Sequence, residues 1–242
     1  MPPKKRARGR PAKSQKEESA AKIAKKDQGE EGSSREAAEE TPASRTRKQE
    51  AQNSGKQKPK DASAPPDQDL HCYWLMKSEP ESRIEKGIDV KFGIEDLKAL
   101  PKQTDCWDGV RNYQARNFMK DMKVGQQAFF YHSNCKEPGI AGVMKIVKEA
   151  YVDHTQFDKK DVHYDPSSKQ DNPKWYMVDV QFDRMTKRFI SLAELKKYHQ
   201  QHRTKGGALK DMALFTRARL SVQPLTQEEF DFVLSLEDKE PI

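Results

Sequence analysis

The first apolar run of the chain is Cys72-Tyr73-Trp74-Leu75-Met76, and it stops at Lys77-Ser78-Glu79-Pro80. An unbroken run of this kind predicts a strand over 71–77 that is buried rather than half-exposed. The proline lacks a backbone donor and ends the ladder. Strand alternation sends Cys72, Trp74, Met76 and Ser78 to one side, and Tyr73, Leu75 and Lys77 to the other. Lys77 and Ser78 therefore point apart and make a poor nucleophile pair. A buried strand ending in a polar turn places hydrogen-bonding groups at the rim of a pocket, and this rim is the first candidate for a binding site.

Further along, Ile94, Leu97 and Leu100 predict a short helix near 93–100, ended by Pro101. Residues 106–112 read as a loop carrying Trp107, a turning Gly109, and Asn112 as a helix cap. The helix over 113–122 buries Ala115, Phe118, Met119 and Met122. Its N-terminus beside Arg111 suits an anion. Gln127 to Ser133 and Ile140 to Tyr151 read as strands, the first with Ala128, Phe130 and His132 opposite Phe129, Tyr131 and Ser133. A lone histidine on such a face is more often structural than catalytic.

A polar loop over 153–173 leads to a strand whose apolar face is Tyr176, Val178, Val180 and Phe182. Trp175 falls on the other side with Met177, Asp179 and Gln181. A tryptophan turned away from the core needs a partner, so Trp175 is the strongest single functional candidate. Phe189-Ile190 reads as a short strand and Ser191…Glu194 as a capping box. Arg217 to Pro224 alternates as a strand, and Thr226…Glu229 caps a last helix burying Phe230, Val233 and Leu234. Strands outnumber helices and sequence neighbours can pair directly. The expected class is α+β, a small mixed or antiparallel barrel or curved sheet flanked by helices.

Composition splits the 242 residues unevenly. Residues 1–66 contain no Phe, Trp, Tyr or Cys and hold 17 Lys and Arg against 10 Asp and Glu, while the remainder is charge-balanced. A segment so poor in apolar side chains cannot offset its ordering entropy, so 1–66 is expected to be a disordered basic tail and 67–242 the folded domain. Lys4, Lys5, Arg6, Arg8 and Arg10 form a cluster of the kind import receptors bind, which points to the nucleus. Arg8-Gly9-Arg10-Pro11 also resembles the core of an AT-hook, which lies along an A·T-rich minor groove. No apolar run approaches the roughly 20 residues a bilayer requires. Three cysteines without CxxC spacing suggest reduced thiols. His132 and Cys135 lack a second ligand pair, so no metal is expected, nor any cofactor.

Three runs together carry a family resemblance: 74–80, 107–118 and 130–134, joined by Asn172-Pro173-Lys174-Trp175 and Arg219-Leu220-Ser221-Val222-Gln223-Pro224. In order, they resemble the EVE-domain family over roughly 70–240. The resemblance implies a PUA-like barrel related to the YTH readers of methylated adenine in RNA. It implies a base pocket formed by Lys77, Ser78, Glu79, Trp107, Asn112, Tyr131, His132 and Trp175. Within it, Ser78 meets the base edge, Trp107 and Trp175 form aromatic walls, and Asn112 is a polar contact. It also implies a modified base as ligand, with 5-hydroxymethylcytosine in DNA as first candidate and RNA possible.

Such a reader must extrude its base at a cost of a few kcal/mol. Stacking on aromatic rings, at about 1–3 kcal/mol per contact, can offset that cost. Arg111, Arg116, Lys174 and Arg217 are the phosphate candidates. The expected protein is a non-catalytic monomer that binds nucleic acid and an import receptor, with no membrane contact. The rival readings are a hydrolase using Lys77, Glu79 and His132, and a chromatin scaffold that binds through its tail.

Overall fold

The computed structural model describes residues 72–242 and the backbone of β1 (Lys4–Lys5), which pairs in parallel with Ile88–Asp89. Apart from that backbone, the expected disordered tail, its import cluster and its Arg-Gly-Arg-Pro core lie outside the described residues.

The central sheet has six strands: β2 (Tyr73–Ser78), β5 (Thr104–Trp107), β6 (Gln127–His132), β7 (Gly139–Val152), β8 (Tyr176–Ser191) and β9 (Val222–Leu225). Their spatial order is β5-β8-β7-β6-β2-β9. β2 and β6 run parallel, and the other neighbours are antiparallel. The helices are α1 (Ile94–Ala99), α2 (Tyr113–Asp121), α3 (Leu192–Lys205), α4 (Ala213–Thr216) and α5 (Gln227–Ser235).

The alternation read along β2 and β6 sorts their side chains into two cores. Trp74, Met76, Ala128 and Phe130 join Ile94, Leu97, Ala115 and Met119 in one cluster. Leu75, Phe129 and Tyr131 join Leu195, Phe230 and Val233 in the other. The apolar run that opens the domain is continuous because its strand is covered on both faces.

The PUA-like mixed sheet flanked by helices is thus present, but it stays open. Among the described residues, edge strands β5 and β9 pair only with β8 and β2 respectively. β7 and β8, with 14 and 16 residues, bend the sheet through repeated register shifts, which is what bulges do. Gly142 sits at one of these shifts because a Cβ there would lie 2.6 Å from the Arg184 carbonyl oxygen and collide with Ile94.

Four local expectations change. The strand expected from Arg217 to Pro224 is confined to β9, because 217–221 form a bend and turn after α4. Trp107 ends strand β5 instead of lying in a loop. Phe189-Ile190 is the tail of the 16-residue β8, whose polar middle is held by ion pairs of Arg184 with Glu237 and Arg188 with Glu194. The box expected at the start of α3 is half made. The Ser191 hydroxyl accepts from the Glu194 amide, while the Glu194 carboxylate is taken by Arg188.

A small hairpin completes the domain: β3 (Ile84–Glu85) and β4 (Ile88–Asp89). It turns at Lys86-Gly87 with both residues at positive φ, the backbone a two-residue hairpin loop demands.

Candidate functional site

The turn after β2 is held from several sides. Ser78 is buried, and its hydroxyl donates to the Phe92 carbonyl at 2.7 Å. The Ser78 carbonyl accepts from the Ser133 amide, and the Glu79 carbonyl from the Phe92 amide. Phe92 in turn meets Trp107 edge-on at 6.1 Å, and Trp107 meets Phe130 in the same way at 5.4 Å. A cleft of about 190 Å³ opens over this frame. Its walls are Ser78, Trp107, the backbone loop Asp108-Gly109-Val110-Arg111, and His163 and Ser221 from distant segments.

The loop keeps its shape through a buried carboxylate. Asp153 is fully buried and accepts from the Gly109 amide, from Arg111 Nη1 at 2.7 Å, and from the Thr155 amide and hydroxyl. Burial alone would raise its pKa. The charge and hydrogen bond of Arg111, with those of Thr155 and Gly109, outweigh that and leave it below the ordinary carboxylate value. Arg111 also donates to the His163 carbonyl and to the Thr155 hydroxyl.

Gly109 has φ +76°, and a Cβ there would stand 2.6 Å from the His163 ring. Gly109→Ala should therefore lose about 1–3 kcal/mol from the overpacked contact, in addition to backbone strain. Chemical denaturation measures it, and an unchanged midpoint would show that the loop gives way freely.

Of the eight residues expected at the base pocket, Lys77, Ser78, Glu79 and Trp107 line this cleft. Glu79 is bonded to Arg83 at 2.7 Å. Lys77 donates to the Ala218 carbonyl and lies 5.8 Å from the Tyr131 ring centroid. Burial lowers the Lys77 pKa to about 8.

Trp107 is 3% exposed. The other two indoles of the chain donate their N–H within the protein, Trp74 to Gln126 and Trp175 to Asp165. Trp107 has no such acceptor among the described residues.

The other four residues sit elsewhere. Trp175 does not line the cleft and is sequestered behind it. It stacks on Tyr113 at 4.8 Å, lies under the Arg111 guanidinium at 5.6 Å, and donates to Asp165 at 2.6 Å. Hydrogen bonds from Ser167, with that from Trp175 adding to them, bring the Asp165 pKa to about 2. The partner that its position off the core face calls for is supplied from within the chain.

Asn112 caps α2 through the amides of Gln114 and Ala115. His132 accepts the Ile94 amide on Nε2 and is kept neutral by burial, which lowers its pKa. Tyr131 lines a second cleft of about 400 Å³ on the other side of Lys77. Burial, with the nearby Cys135 adding to it, pushes the Tyr131 phenol up to about 12. Lys77 and Glu79, two of the three residues a hydrolase would need, line both clefts, whereas His132 lines neither.

Among the phosphate candidates, Arg116 donates to the Lys174 carbonyl and to Asn117, and Lys174 to the Ser167 hydroxyl. Arg217 is exposed and its side chain makes no bond to a described residue. Sequence reading missed Asp108, His163 and Ser221 as lining residues. Ser221 stood within a quoted motif, whereas nothing in the polar loop singled out His163.

The profile of the EVE domain matches residues 72–236. Thymocyte nuclear protein 1 of Danio rerio is 86% identical over 172 residues, 71% of this chain and 74% of that protein. Its Homo sapiens counterpart is 79% identical over 172 residues, covering 71% of this chain and 76% of that protein. Among solved structures, the human THYN1 protein in complex with 5-methylcytosine-containing DNA is 80% identical. That match covers 70% of this chain and 99% of that one, with a TM-score of 0.69. The profile runs from the first buried strand to the turn after the last helix, and most positions across that span are shared with these relatives: the chain belongs to the EVE-domain family.

Proposed function

We propose that this protein is a non-catalytic reader of a modified cytosine in DNA, which seats the everted base in the cleft between the Ser78 turn and the Trp107-Asp108-Gly109-Val110 loop. The observation that carries this reading is Trp107, an aromatic wall of the cleft whose N–H has no acceptor among the described residues. The ring is buried while its N–H stays accessible, and a base carbonyl or ring nitrogen would supply the partner that an indole N–H ordinarily finds.

Ser78 complements it. After donating to Phe92, its hydroxyl oxygen keeps lone pairs that can accept from an exocyclic amino or hydroxymethyl group. That is the physical case for 5-hydroxymethylcytosine as first candidate. The related human protein, solved with 5-methylcytosine-containing DNA, favours the same class of ligand. The nucleus as compartment, an import receptor bound at Lys4, Lys5, Arg6, Arg8 and Arg10, and a monomeric state belong to the same reading. The word "nuclear" in the relatives' name supports the first of these.

The test titrates the protein against duplexes that differ only at one cytosine: unmodified, 5-methyl or 5-hydroxymethyl. A modified duplex should bind at least several-fold tighter. Trp107→Phe keeps the wall and removes the donor, so it should cut that affinity roughly 2- to 12-fold, the worth of one neutral hydrogen bond. Raising the pH through about 8 should weaken binding, because Lys77 then gives up its charge beside the DNA. Equal affinity for all three duplexes would end the proposal.

A further inference from the structure

A second cleft is left unused by this reading. It shares Lys77, Glu79 and Ser221 with the first, so the two hollows are separated by a single layer of side chains. Its floor is apolar, with Tyr131, Pro138, Leu192 and Leu214, and its lip carries Ala218 and Arg219. At about 400 Å³ it has twice the volume of the base cleft and falls within the range of ligand pockets.

The charges are arranged unevenly. Glu79 is answered by Arg83. Lys77 donates to one protein acceptor, the Ala218 carbonyl, which leaves two of its three protons unspent. Arg219 is exposed and makes no ion pair with a described residue. The wall between the clefts and the outer lip are therefore both cationic without internal compensation, over an apolar floor. A phosphate next to a ring or sugar matches that arrangement.

We infer that the second cleft is a subsite for the nucleotide adjacent to the read base, with its phosphate on Lys77 and Arg219 and its sugar or ring against Tyr131, Leu192 and Leu214. This rests on the base-reading proposal above and deepens it. The two hollows lie one side chain apart, so consecutive residues of one strand occupy both, and recognition extends over two nucleotides. Arg217, exposed on the same segment, meets the next phosphate outward.

Two substitutions in the full chain test it, both at exposed lip positions outside the base cleft. Ala218→Trp fills the second cleft, and Arg219→Glu reverses the lip charge. The probes are duplexes carrying one 5-methylcytosine, with each neighbouring position varied in turn, and the same duplexes unmodified.

The unaltered protein should prefer particular neighbours on one side by several-fold. Ala218→Trp should abolish that neighbour preference and weaken binding about tenfold, yet keep the ratio of modified to unmodified affinity. Arg219→Glu should weaken all duplexes alike and lower the slope of log affinity against log salt by about one or more. If both variants bind within twofold of the unaltered protein, the second cleft is empty in the complex and the inference fails while base reading stands. If the unaltered protein does not distinguish modified from unmodified duplexes, base reading fails and this inference with it.

Discussion

Replacing Asp153 with alanine should cost the fold about 3–5 kcal/mol, the range for breaking a buried ion pair by removing one partner. The carboxylate is completely buried and answers four donors at once: the amides of Gly109 and Thr155, the Thr155 hydroxyl and Arg111. Its loss strands a guanidinium that is only 21% exposed and frees the backbone loop that walls the cleft beside Ser78. Urea denaturation reads the stability, and duplex titration reads the accompanying loss of binding. Adding Arg111→Met should recover part of the loss, because the stranded charge is then gone.

The pH dependence has a definite sign. The folded-state pKa of Asp153 lies below the unfolded value, so its contribution is complete above about 3.9 and disappears as pH falls through the folded value. The difference between the protein and Asp153→Asn should accordingly narrow in acid. A difference that persists undiminished at the lowest pH would mean that the ion pair is not its source.

Trp107→Ala should be comparably severe, about 3–5 kcal/mol, as for other large aromatic residues truncated in cores. The indole packs edge-on against both Phe92 and Phe130 and belongs to the same cluster as Trp74 and Met76. Trp107→Phe separates its two roles. It should retain most of the stability and lose the donor, so its main effect falls on binding. A stability loss below about 1 kcal/mol for Trp107→Ala would show that the wall collapses without cost and is no fixed seat for a base.

Much of this was readable along the chain because strand and helix periodicities are local. The run at 73–76, the stripe Ile94-Leu97, the Asn112 cap and the faces of β6 all appear as the pattern requires, while Cys72 stays exposed outside the strand. Trp175 shows where that reasoning ends. Alternation set it off the core face, yet Trp175 is buried and Met177 of the same face packs in a core cluster, because periodicity describes the faces of a strand and says nothing of a loop folded over one. Asp165, ten residues earlier, takes its N–H, and Tyr113 covers its ring. Strand β8 was cut short for a related reason. Residues 183–188 are polar except for Met185, and their strand conformation is supported by Glu237 and Glu194, which lie far off or beyond the strand's end.

The sequence by itself determined the α+β class, the two-faced sheet, the helix starts and the turn that edges the cleft, because each depends on neighbours within a few residues. Only the tertiary structure decided that the sheet stays open, that Trp107 rather than Trp175 walls the cleft, and that Arg111 serves Asp153. Those outcomes depend on contacts 42 and 44 residues apart, such as Arg111 and Gly109 with Asp153. No local pattern encodes them; they are set by which buried polar groups find each other once the chain has closed.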